Sequence, residues 1–493
     1  MKHEEKQQKI HLSTDLNENL IEMRARLQNT ADFMVRDLYI NDIRVSLVMI
    51  EGMVSLAVLA NLVVRPLLNE EFPKNTAPED IYDFIEKQTV MAADMKDVFL
   101  FDEVFKMAMS GFVVIIIDGI ARGIALGAQG FNFRSISEPS SEVNERGSRE
   151  GFTEPIKINL TMVRRRIKSD KLKFESFQLG EQSKTDACLI YKTDAVSEEL
   201  LREIRRRLNE IKLDVVLDTG YLQPFLEGKA LSLFSEVGVT ERPDTLVAKI
   251  LEGRVAIMLD GTPYALIVPY LFSENFQSFD DYAHRPYFAT FIRLLKYFSF
   301  LFTIYLPGLY VALATFHPEA LPHALLFNIA SAEETTPFPL MLSALIIHFI
   351  YEIMREAGLR LPRPVGHAVG IVGALVIGDA AVTAGLIGSP MVMVVALTAI
   401  SSFVVPSLYE PVAVLRFLFI VIGGLTGLYG MTIASAVLLC NACRLNNLGV
   451  PFTSPISPFS PKAMRDVFVR SSWKVLQNGT HTVQKLRGSR LGK

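Results

Sequence analysis

The strongest chemical pattern in the chain lies in residues 364–390, PVGHAVGIVGALVIGDAAVTAGLIGSP. Wound as a helix at about 100° per residue, this stretch carries two stripes roughly 120° apart. Val369, Val372, Val376, Asp379 and Thr383 form one; Gly370, Gly373, Ala380 and Ala384 form the other, with Ile377 its only large residue. Small residues let helix backbones approach closely in lipid. A carboxylate at membrane depth is costly and turns to protein or water. If the small stripe packs on a neighbour, the Val/Asp stripe faces a shared axis. A ring of such helices has the makeup of a cation pore, with a valine constriction that gates by dewetting and an acidic ring. The alternative is ordinary packing, with Asp379 paired to a base such as Arg416.

Other chemistry is sparse. There is no G-x-x-x-x-G-K-[ST], no H-E-x-x-H and no G-x-S-x-G, so no enzyme activity, cofactor or metal is expected. Asp218-Thr219-Gly220 lacks the second carboxylate an aspartic protease needs and reads as a strand-end turn. Cys440 and Cys443 have redox spacing but sit at the end of an apolar helix, outside the α/β context of such motifs. Asn159-Leu-Thr and Asn478-Gly-Thr read as chance glycosylation triplets. The arginine runs 164–166 and 205–207 lie in an acidic region, so a solvated face or a subunit contact is expected, not nucleic acid.

The chain has 493 residues, half of them apolar, and a mean hydropathy of +0.28. Its charge is uneven: residues 1–288 are net −10, 289–442 net −1 and 443–493 net +8. This predicts a polar N-terminal region, a helical polytopic membrane domain (289–442, four or five helices) and a basic cytoplasmic tail (443–493). Apolar runs cover 297–316, 338–354, 365–388, 391–409 and 411–442. The basic tail and the arginines of 355–363 belong on the cytoplasmic side. With no apolar leader visible, the N-terminal region is expected there too. Both termini inside require an even number of crossings, so one run is re-entrant or interfacial, or 411–442 folds back on itself. Arg293 and Lys296 are expected to snorkel to the interface.

The N-terminal region reads as two related α/β subdomains, an α+β domain in all. Residues 1–30 are expected to be flexible. Subdomain 1 spans 31–135, a Ser/Glu-rich linker 136–150, subdomain 2 151–272 and an aromatic interfacial segment 273–288. In each subdomain a strand–turn–helix (44–69; 187–210) precedes a hairpin with an Asp-Gly turn, Asp118-Gly119 or Asp260-Gly261. The two copies are offset by 142 or 143 residues, the signature of an internal duplication.

LEGRVAIMLDGTPYALIVPYLF (251–272), REAGLRLPRPVGHAVGIVGALVIGDAAVTAGL (355–386) and GVPFTSPISPFS (449–460) resemble the GerA family, the A subunits of bacterial spore germination receptors. So do residues 151–172 and 240–257, and the resemblance covers roughly residues 30–475. It implies an integral protein of the spore inner membrane that assembles as a homo-oligomeric ring, a pentamer, and conducts monovalent cations during germination. Receptor A subunits work beside a permease-like B and a lipoprotein C subunit. Ser407-Leu408-Tyr409-Glu410-Pro411, and a single Trp473 where the A subunits carry a tandem pair, look more like the paralogue stage V sporulation protein AF. That branch implies a small membrane partner and an amplifying role. The other readings are a nutrient-receptor A subunit and a non-conducting scaffold.

Overall fold

A computed structural model describes residues 10–27, 30–70, 72–73, 75–88, 94–130, 138–139, 141–228, 232–361, 378–477 and 482–491. The N-terminal half contains two five-stranded antiparallel sheets. The first, in the order β1-β2-β4-β5-β3, comprises β1 (Phe33–Ile40), β2 (Ile43–Ile50), β3 (Met95–Val98), β4 (Phe112–Ile117) and β5 (Gly123–Gly127). The second, β6-β7-β9-β10-β8, comprises β6 (Leu172–Leu179), β7 (Thr185–Lys192), β8 (Gly238–Thr240), β9 (Val255–Leu259) and β10 (Ala265–Val268). The order is the same in both. Strand starts at 43, 95, 112 and 123 in the first correspond to 185, 238, 255 and 265 in the second.

Each sheet is covered on both faces, which is why its central strands are continuously apolar rather than alternating. In the first, Val45, Leu47, Val113 and Ile115 pack against the helical run 56–69 and helix 78–88. Val48, Ile50, Val114 and Ile116 point the other way, onto α1 (Leu16–Leu27) and α2 (Phe101–Ala108). The 56–69 run contains a wide turn at Ala60–Val64, just before Pro66, which has no N–H to continue the ladder. In the second sheet, Leu189, Val255 and Ile257 meet α4 (Glu198–Asn209), and Ile190, Ala256 and Met258 meet α3 (Ile156–Arg166) and α5 (Pro243–Leu251).

The Asp-Gly turns have a matched role. The Asp118 carboxylate accepts from Leu16 N at 3.1 Å, and the Asp260 carboxylate from Ile156 N at 2.9 Å. Each aspartate caps the first helix of its own subdomain, with Gly119 (φ 94°) and Gly261 (φ 91°) taking the left-handed position beside it. One helical turn on, Asn19 and Asn159 bracket the backbones of Ser13 and Thr153. The expectation of a flexible 1–30 is therefore corrected for residues 16–27: Leu16, Leu20, Met23 and Leu27 are core residues.

Two further segments contribute to the packed interior. Phe276, in the segment expected at a membrane interface, is fully buried and stacks on Tyr297 at 3.9 Å, beside Phe272, Phe300 and Phe452. Part of the basic tail packs into the fold. Leu448, Val450, Val483 and Leu486 are buried, and Gln484 donates to Ala195 O at 2.7 Å.

The helical region comprises α6 (Pro286–Phe316), α7 (His323–Glu333), α8 (Leu340–Arg360), α9 (Ser389–Ser402) and α10 (Tyr409–Arg444), with helical residues also at 378–383. Two helices among the described residues, Pro286–Phe316 and Pro406–Arg444, are long and apolar enough to cross a membrane.

Candidate functional site in the helical region

The region is organised by α6 and α10. Gly308 of α6 meets Gly423 of α10 so closely that a Cβ on Gly423 would lie 2.5 Å from Gly308 O. Pro307 lies within α6 at this crossing and is buried. α10 is interrupted at Gly427, whose φ of 64° and ψ of −153° are not helical. The chain doubles back there. A Cβ on Gly430 would lie 3.1 Å from the Ile422 side chain, eight residues earlier. Leu408 and Val412 from one end and Leu445 from the other join the same cluster around Ile304. The arms 409–426 and 428–444 are each about 26 Å long, close to the thickness of a bilayer core.

The charged residues of this region are placed inside it. Arg293, expected to snorkel, is fully buried: Nε donates to Asp281 at 2.6 Å, and Nη1 to the Asp466 carboxylate and carbonyl at 2.8 Å. Lys296 Nζ donates to Ser278 at 3.0 Å. The chain supplies its own anions here, from the segment before α6 and from the tail, so neither cation reaches for solvent. Below this junction Glu274 is buried, with Arg254 Nη2 2.7 Å away and Lys249 in contact. Burial opposes its ionisation, but Arg254 and Lys249 outweigh that and hold its carboxyl below the usual range.

Arg416 is fully buried on α10 and faces Glu352 of α8 across 3.3 Å. Glu352 also accepts from Tyr409, and Arg355 lies over the Tyr409 ring, 3.2 Å from its centroid. The anion against Arg416 is thus Glu352, not Asp379. Two charges within apolar runs, Glu352 and Arg416, were the sequence signal for this pair. Periodicity links Glu352 only to Arg355, which sits 4.0 Å from it.

Of the pore-lining candidates, Asp379 and Thr383 are described and both are exposed. Asp379 makes no ion pair among the described residues. Val369, Val372 and Val376 lie outside the described residues, as do Gly370 and Gly373 of the packing stripe. Ala380 and Ala384 are exposed. The buried position is Ala381, which joins Ile387, Met391 and Val311. Within one chain the helical residues 378–383 pack through Ala381, leaving both predicted stripes uncovered where they are described.

Other motifs resolve as structure, and Asn478-Gly-Thr lies outside the described residues. Asp218 accepts from Gly220 N at 2.7 Å, a turn. Asn159 is buried. Arg165 and Arg166 pair with Glu150, Arg205 with Glu175, and Arg206 and Arg207 with Glu203.

Residues 21–481 match the family described as Bacillus/Clostridium GerA spore germination protein. The chain is 37% identical to spore germination protein KA of Bacillus subtilis over 99% of its own length and 90% of the relative's. It is 27% identical to stage V sporulation protein AF of the same organism, over 98% of both. The solved N-terminal domain of the A subunit of the Bacillus megaterium spore germinant receptor GerK3 is 30% identical, covering 54% of this chain and 99% of that one, with a TM-score of 0.42.

Proposed function

The chain belongs to the GerA family of spore germination proteins, and we propose that it is the ring-forming subunit of a cation channel in the spore inner membrane. The observation that carries this reading is the 378–384 segment. It packs inside its own chain through Ala381 and presents Asp379 and Thr383 on one exposed face and Ala380 and Ala384 on the other. A helix so placed can pack on a second copy and turn its acidic face to an axis. Val376 and Val372 stand about one and two helical turns before Asp379 in sequence and would form the constriction.

The fold-back at Gly427 supports six passes: α6, α8, the apolar run 365–388, α9 and the two arms of α10. Gly385 and Gly388 lie against Thr335, Ala332 and Glu333, so the helical residues 378–383 end on the side remote from the α/β domain. Six is even, and both termini return to the cytoplasm. Identity to germination protein KA exceeds that to stage V sporulation protein AF. That favours a receptor A subunit with B and C partners over the AF branch with a small membrane partner.

The test is potassium efflux from liposomes holding the full chain, with its oligomeric state read by native mass spectrometry. A closed ring is expected, with leak raised by Val372→Ala or Val376→Ala and flux lowered by Asp379→Asn. A monomer that passes no potassium would leave a scaffold for other germination proteins, with no enzyme activity in either case.

A further inference from the structure

A cavity of about 340 Å³ lies at the end of α6 remote from the α/β domain, between α6, α7 and the turn into α8. Its walls are mostly apolar, with Ala314, Leu326, Ile329, Ala330 and Phe338 among them and Thr315 and Thr336 the uncharged polar residues. One ionisable group enters it, Glu333, the last residue of α7. Oε1 of Glu333 is shielded from solvent and accepts no hydrogen bond among the described residues. Oε2 receives only a long bond from Thr336, at 3.4 Å. Gly388, just before α9, lies against the carboxylate: a Cβ there would stand 3.0 Å from Oε1. The nearby Tyr310 hydroxyl is buried and likewise without a partner.

A shielded carboxylate oxygen without a donor is costly unless something brings it one. A bare metal ion is a poor fit, since it needs several strong oxygen ligands and Glu333 is the one carboxylate lining this cavity. A primary ammonium on an apolar body satisfies both halves of the site: its N–H groups meet the Glu333 carboxylate, and its hydrocarbon fills the space against Leu326, Ile329 and Phe338.

We propose that this cavity binds an organic primary ammonium, with Glu333 as its counter-ion. The site is separate from the Asp379 face and does not depend on conduction. Free amines and the ethanolamine headgroup of a lipid share this chemistry.

The probe is benzylamine, added to the full chain in phosphatidylcholine nanodiscs, with thermal stability and calorimetric binding as readouts. Benzylamine is expected to raise the melting temperature in a dose-dependent way, and benzyl alcohol to leave it unchanged. Glu333→Gln is close in shape and should weaken benzylamine binding about tenfold or more. Ala330→Leu, at an exposed position, should fill the cavity and block binding while the protein stays folded. Loss of the benzylamine response in phosphatidylethanolamine discs would assign the occupant as a headgroup, and its persistence as a free amine; both uphold the site. Equal responses to amine and alcohol, undiminished binding by Glu333→Gln, or no response in the wild type would overturn it.

Discussion

Gly308 and Gly423 touch backbone to backbone: a Cβ on Gly308 would lie 2.5 Å from Phe419 O, and one on Gly423 2.5 Å from Gly308 O. No side chain fits between α6 and the first arm of α10, and the flanking residues Ile304, Val311, Phe419 and Ile420 are buried around the contact. Even a methyl group must push the helices apart. Gly308→Ala should destabilise the helical region by about 1–3 kcal/mol, the usual cost of overpacking, and Gly308→Leu by more. Thermal melting of the full chain in detergent checks this; a melt unchanged by Gly308→Leu would mean that the helices do not cross here.

The two sheets are joined by a buried ion pair. Arg164 of α3 donates to both oxygens of Asp32, at 2.8 and 3.0 Å, and to the carbonyls of Ser169 and Leu172. Its guanidinium lies 4.4 Å from the Phe174 ring centroid. Thr30 and Ala31 bond to the backbone of Phe174, so the segment entering β1 lies along the edge strand β6. Asp32→Ala leaves a fully buried cation without its anion and should cost about 3–5 kcal/mol. Arg164→Met with Asp32→Leu removes both charges and should recover most of that loss. Failure of the double substitution to recover stability would show that the pair sets the geometry of the joint as well as neutralising it.

Much of the α/β half is legible in the sequence because its signals are local. Asp118-Gly119 and Asp260-Gly261 mark hairpin turns whose strands are as expected, and the copy offset reappears in the strand starts. What was missed depends on distant partners. Residues 16–27 are polar on average and look frayed, yet every apolar side chain on one face lands on the first sheet. Arg293 resembles an interfacial arginine until Asp466, 173 residues away, closes on it. Arg416 has two carboxylates within reach of a sequence argument, and only the packing of α8 against α10 chooses Glu352. The long apolar run 411–442 can be one helix or two. The choice falls at Gly427, because glycine takes a positive φ without the Cβ penalty.

The pH response of the α/β half turns on Lys173. Its side chain is buried on β6, where Nζ donates to Arg26 O at 2.9 Å and Asp170 O at 2.8 Å, both neutral carbonyls. Removal from water pushes its pKa down from 10.5 to about 8. A base whose folded pKa is depressed disfavours folding while protonated. Between about pH 8 and pH 10.4 the unfolded chain holds this proton more than the folded one, so the contribution of Lys173 to stability rises with pH across that window. Below pH 8 its penalty is complete. Lys173→Met keeps the length of the stem and removes the titration, and the two carbonyls it leaves behind add only a pH-independent offset. Melting temperatures of wild type and Lys173→Met at pH 7, 8.5 and 10 should therefore converge, or cross in favour of wild type, as the pH rises. A difference that stays constant would mean that the ammonium is solvated where it lies against Arg26.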